Sequence, residues 1–178
     1  MKATGIVRRI DELGRIVVPK EIRRTLRIRE GDPLEVYTDR EGEIILKKYS
    51  PVGEISNYAT QYAKVLSETT GKLVCISDKD HVIAAYGAGK KEFENQPITQ
   101  QLEKAMEMRK DLSTRKGDEV VSIVSGGTTD YASQVIAIVN VHGDALGTVI
   151  LMGQEKMTEL EETLVKTTAV FLGSIMED

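Results

Sequence analysis

Four cations in one short segment, Lys20, Arg23, Arg24 and Arg27, stand at i, i+3, i+4 and i+7. At helical spacing these positions share one face, and Ile22 and Leu26 fall on the other. A stripe of positive charge calls for a polyanion. Guanidinium groups add paired donors that match a phosphate or a guanine edge. The segment belongs to a longer stretch, DELGRIVVPKEIRR, from Asp11 to Arg24. Asp11-Glu12-Leu13-Gly14 signals a turn, with Gly14 supplying backbone freedom. Arg15 to Val18 is β-branched and reads as a strand. Pro19 suits the first position of a helix, where a missing N–H costs nothing, and the helix is expected from Lys20 to Leu26.

Bulk composition hides this basic stretch. The 178 residues carry a formal net charge of −4. Residues 1–30 hold nine Lys/Arg against four Asp/Glu, whereas residues 51–178 hold 12 against 19. A basic head on an acidic body implies two domains with different partners. We expect a basic, polyanion-facing domain over 1–50, a hinge over 51–53, and a second domain over 54–178.

Other residue types offer less chemistry. Cys75 is the single cysteine, so no intrachain disulfide can form; its place between Val74 and Ile76 implies a buried, inert thiol. His81 and His142 fall at turns without a paired ligand at metal spacing. Gly87-Ala88-Gly89-Lys90-Lys91 fails as a phosphate loop, with Ala84 at the first Gly position and Lys91 at the Ser/Thr position. Ser125-Gly126-Gly127-Thr128-Thr129 reads as a hairpin loop that could cradle an anion. No nucleophile–base pair is visible, so a non-enzyme without a cofactor or metal is expected. No apolar run approaches the ~18–20 residues of a membrane span. The expected location is cytoplasmic and nucleoid-associated.

The head reads as ββαββ. Thr4 to Ile10 alternates as a half-buried strand. Arg29-Glu30-Gly31-Asp32-Pro33 should stop the helix. Leu34–Thr38 and Glu43–Lys48 form a hairpin around Asp39-Arg40-Glu41-Gly42. Lys47 and Lys48 read as exposed strand-end charges. So small a unit, without disulfide or metal, needs oligomerisation to complete its core.

TGIVRRIDELGRIVVPKEIRRTLRI, the Gly31-Asp32 turn and EIILKKYSP resemble the DNA-binding domain of AbrB-type transition-state regulators, which are swapped-hairpin dimers. The resemblance implies double-stranded DNA as partner and Arg8, Arg15, Arg23 and Arg24 as contacts, with Lys20 outside the arginine set. The short helix argues against helix-turn-helix readout. Degenerate recognition of A·T-rich, deformable DNA is expected instead.

The body reads as α-β-β-α-β-β-β-α. Helices are expected over 54–70, from Pro97 to Met108, and from the Thr158-Glu159-Leu160-Glu161 capping box to Met176. Strands are expected at 73–77, 82–86, 119–124, 134–141 and 146–152. This order is similar to a GAF domain, a small-molecule sensing fold, so the fold class is α+β. Tyr86, Phe93, Ser125 and Tyr131 are candidate walls for an unnamed effector. Apolar faces on the first and last helices are wide enough to cover the sheet and a neighbouring subunit, which predicts a homotetramer. Head and body together resemble the stage V sporulation protein T family. That resemblance implies activation of some sporulation genes and repression of others. An antitoxin with a toxin-binding tail, and an enzyme-like body with the head as a mere dimeriser, are the alternatives.

Overall fold

The computed structural model describes residues 6–49, 56–114, 118–127 and 131–177. The expected hinge at 51–53, the start of the first expected strand, and Thr128 and Thr129 of the expected loop lie outside these residues. The chain divides into two compact units, Met1–Tyr49 and Ser50–Asp178.

In the first unit, α1 (Lys20–Thr25) precedes the antiparallel hairpin of β1 (Leu34–Thr38) and β2 (Ile44–Lys48). Two expectations are corrected here. Residues 6–10 and 16–18 join no ladder among the described residues, where no further strand lies beside them to take their N–H and C=O groups. The helix ends where expected, at Thr25 with Leu26 as its C-cap, but Arg27 does not continue its stripe. Arg27 adopts φ 52°, and its N–H donates to Arg24 O while Ile28 N–H donates to Arg23 O at 2.7 Å. That is a Schellman cap with an arginine at the left-handed position. Arg27 therefore leaves the helical stripe of Lys20, Arg23 and Arg24.

The second unit is built on a five-stranded antiparallel sheet. Its strands are β3 (Leu73–Ser77), β4 (Val82–Tyr86), β5 (Leu112–Ser113), β6 (Ser133–Val141) and β7 (Asp144–Gly153), in the order β4-β3-β7-β6-β5. The sheet separates two cores. Val74, Ile76, Val135, Val149 and Leu151 pack on one face against α2 (Ser56–Thr70) and α4 (Glu159–Ile175), through Ala59, Ala63, Leu66, Val165, Ala169 and Leu172. Leu73, Cys75, Ile136, Ile138 and Ile150 face the other way, against Phe93, Ile98, Ile123, Val124 and α3 (Gln100–Glu107). Covering both faces explains why these strands read as nearly continuous apolar runs.

Local chemistry sets the ends. Thr158 accepts from Glu161 N–H while the Glu161 carboxylate accepts from Thr158 N–H at 2.8 Å, completing the capping box of α4. His142 and Gly143, both at positive φ, turn β6 into β7. Pro97 does not open α3: it bridges His81 in extended form, and Thr99 caps the helix by accepting from Leu102 N–H. The strand expected at 119–124 is absent among the described residues. The Gln134 side chain instead takes Val121 N–H at 2.9 Å and donates to Val121 O at 3.0 Å, and Gln101 accepts from Ser122 N–H. Side-chain amides thus replace a ladder, and β5 occupies the place beside β6.

Candidate nucleic-acid interface

Two loops of the first unit share one design. In Asp11-Glu12-Leu13-Gly14-Arg15, Asp11 Oδ1 accepts from Leu13 N–H at 3.0 Å and Arg15 N–H at 2.8 Å. Asp11 N–H donates to Arg15 O, and Gly14 sits at φ 76°. In Asp39-Arg40-Glu41-Gly42-Glu43, Asp39 Oδ1 accepts from Glu41 N–H at 3.0 Å and Glu43 N–H at 2.8 Å, Asp39 N–H donates to Glu43 O, and Gly42 sits at φ 84°. The loops differ at the fifth residue, which is Arg15 in one and Glu43 in the other.

Arg15 adds a contact that Glu43 cannot make. Its Nε donates to Asp11 Oδ2 at 2.8 Å while the side chain stays 70% exposed. The Arg15 amide and then its guanidinium hold the Asp11 carboxyl below its ordinary range. The sequence reading missed Asp11, although the repeated Asp-x-x-Gly-x pattern was there to be read.

The other expected contacts are more loosely placed. Arg8, Lys20 and Arg24 are exposed, and Arg23 is half-buried. Arg23 Nε is a buried donor without a hydrogen-bond partner among the described residues. Lys48 is not the free strand-end charge expected of it. It pairs with Asp32 at 3.1 Å and donates to Arg27 O at 3.1 Å, which ties β2 to the helix cap. Asp32 is held below the usual carboxylate range: burial pushes it up, but the Arg29 amide and Lys48 outweigh this. Lys47 lies over the Tyr37 ring, 4.7 Å from its centre.

In the body, the expected pocket walls are divided between the two faces of the sheet. Phe93 is fully buried and fills core space itself, 6.3 Å from the Tyr131 ring. Tyr86 packs on the opposite face of the sheet, its hydroxyl donating to Glu68 at 3.5 Å. Ser125 is exposed. Tyr131 lines a groove of about 490 Å³ together with Thr70, Lys72, Leu73, Met152 and Glu155. Cys75 is buried, and that burial pushes its thiol pKa up. Among the described residues no cluster of potential metal ligands occurs, and no helix is long and apolar enough to cross a membrane.

A family model described as stage V sporulation protein T C-terminal, transcription factor, matches residues 54–177. Stage V sporulation protein T of Bacillus subtilis (strain 168) is 47% identical over 178 residues, covering 99% of this chain and 99% of that protein. The chain belongs to the stage V sporulation protein T family. Members of this family are transcription factors, and this chain is accordingly a sporulation regulator. Its basic head is similar to the transition state regulatory protein AbrB of the same organism, at 59% identity over 63 residues, covering 32% of this chain and 65% of that protein. A second model, described as antidote-toxin recognition MazE, bacterial antitoxin, matches residues 7–54. The body of this stage V sporulation protein T relative has the GAF fold, in keeping with the expected α+β class. The Thermosynechococcus elongatus PixJ GAF domain aligns with a TM-score of 0.55 at 12% identity, covering 73% of this chain and 89% of that one. The antitoxin alternative implies a short, acidic, disordered tail, whereas the described residues of the second unit pack two cores around a sheet.

Proposed function

We propose that two chains join their N-terminal units into one swapped-hairpin core and present Arg8, Arg15, Arg23 and Arg24, flanked by Lys20, to A·T-rich promoter DNA. The observation that carries this is the bare apolar surface of the unit. Among residues 6–49 only Pro19 is buried. Ile6, Val7, Ile10, Ile16, Val17, Val36, Ile44 and Leu46 are all exposed, Val7 at 90%. Burying each such side chain contributes about 1.5–3 kcal/mol. A second copy supplies the same residues in complementary register across a two-fold axis. It also brings backbone partners to the arms at 6–10 and 16–18, which join no strand among the described residues. The arginines then stand in two symmetric sets on a cationic surface.

The body carries assembly and sensing in this reading. Leu160, Val170 and Phe171 on α4, with Tyr58 and Val65 on α2, are exposed apolar side chains. They support pairing of dimers into a tetramer through these helices. The GAF fold supports a sensing role, and the groove beside Lys72 and Tyr131 is within the ~300–1,000 Å³ typical of small-molecule sites. An effector alters DNA affinity only through unequal affinity for two arrangements of the assembly. The family supports a cytoplasmic, nucleoid-associated protein that activates some sporulation genes and represses others, not an enzyme.

Analytical ultracentrifugation combined with DNA-binding assays tests this reading. Tetramers that bind A·T-rich duplexes, and that lose binding when the arginines are replaced, are the expected result. A monomer with intact DNA binding would overturn it.

A further inference from the structure

We propose that Asp11 positions Arg15 for DNA, its carboxylate pinning the guanidinium so that the outer edge of the group is presented to the ligand. The inference rests on the reading of Arg15 as a DNA contact. At first sight an acid beside a DNA-contacting arginine is a defect, since it repels phosphate and competes for the cation. The geometry points the other way. Asp11 Oδ2 engages Nε alone, at 2.8 Å. The two Nη groups, which can grip a phosphate or a guanine edge end-on, keep no partner among the described residues. Asp11 Oδ1 is meanwhile fixed by the Leu13 and Arg15 amides, so the carboxylate cannot swing after the arginine. Like any aspartate it is charged near neutrality, and the Arg15 contacts lower its pKa further.

A long, 70%-exposed side chain would otherwise surrender rotamer freedom on binding. Ordering one such side chain in advance is worth about 2- to 10-fold in affinity. The loop at 39–43 is an internal control. It has the same aspartate caps and the same left-handed glycine, but Glu43 stands where Arg15 would be.

The test measures binding of the full-length protein to an A·T-rich duplex by fluorescence anisotropy at fixed salt. Asp11→Asn, Arg15→Ala, the double variant and Asp39→Asn are compared with wild type. Asp11→Asn keeps an oxygen for the two amides but sets an NH₂ group against Nε. It also removes one negative charge from the DNA-facing loop, so simple charge counting predicts tighter binding. The proposal predicts binding about 2- to 10-fold weaker, no further loss when Arg15 is already alanine, and no loss for Asp39→Asn. Wild-type or tighter binding by Asp11→Asn, alongside weaker binding by Arg15→Ala, overturns the proposal and leaves the contact reading intact. Undiminished binding by Arg15→Ala overturns both. If Asp11→Asn disturbs the loop itself, the Arg15 Nε–H resonance of the wild type decides: slowed exchange with water supports the pin, and exchange at the free-arginine rate refutes it.

Discussion

Lys72 Nζ bonds Glu161 Oε1, joining the residue before β3 to the first turn of α4, with the two side chains only 15% and 11% exposed. Glu161 spends its other oxygen on the Thr158 cap, so one carboxylate both starts the last helix and ties it to the sheet. Removing one partner of such a pair strands a charge at low dielectric. Lys72→Met should destabilise the body by about 3 kcal/mol, read as a drop of roughly 6–12 °C in its melting temperature. The double variant Lys72→Met/Glu161→Gln should recover part of that loss. No change in the single variant would mean that water already screens the pair.

Acid should undo the same tie. Burial pushes the Glu161 pKa up, but the Lys72 ammonium and the Thr158 donors outweigh it, and the net shift is downward. A depressed folded-state pKa gives stability that is fully present above the unfolded value of about 4.5 and is lost as pH falls through the folded pKa. Melting curves from pH 6 to 3 should therefore fall more steeply for wild type than for Glu161→Gln. Parallel curves would show that Glu161 is not stabilised by folding.

Close approach sets another constraint. A Cβ built at Gly147 in β7 would lie 2.1 Å from Ser77 O. Gly147→Ala should cost on the order of 3 kcal/mol, measured as a lower urea midpoint for the body with secondary structure retained. An unchanged midpoint would mean that β3 and β7 separate without strain.

Assembly should divide between the units. Val36→Asp, on an exposed face of β1, should break the head pairing and weaken DNA binding with it. Val170→Asp, at a position of α4 that is 72% exposed, should yield dimers that still bind DNA. Sedimentation velocity distinguishes the two. A wild-type oligomer in both variants would remove these faces from the interfaces.

Much of the body was legible because its signals agree. Thr158 with Glu161 marks a helix start, and the apolar runs at 73–77 and 82–86 have strand length. The misreadings have local causes. Lys20, Arg23, Arg24 and Arg27 share helical spacing, yet the helix ends at Thr25 and Arg27 takes a left-handed conformation costing about 1 kcal/mol. Residues 119–124 have strand composition, but Gln134 reaches from β6 to satisfy Val121, and a contact 13 residues away leaves no trace in the local pattern. Tyr86 and Phe93 looked like neighbours in one wall, whereas β4 sends Tyr86 to the α2 side and Phe93 plugs the other core. At the head, residue types revealed the cationic surface, but the arms at 6–10 and 16–18 call for backbone and apolar partners that the described residues of one chain do not supply.

The most direct measurement is a salt titration of binding to A·T-rich promoter DNA, comparing wild type with Arg15→Ala, Arg23→Ala and Arg24→Ala. For ~6–10 phosphate contacts, affinity should fall by ~10³–10⁵ between ~50 and ~200 mM salt. Each variant should bind more weakly and with a shallower salt slope, at unchanged oligomer size. Weak, salt-insensitive binding that the three substitutions leave untouched would contradict the account and make the head an assembly module.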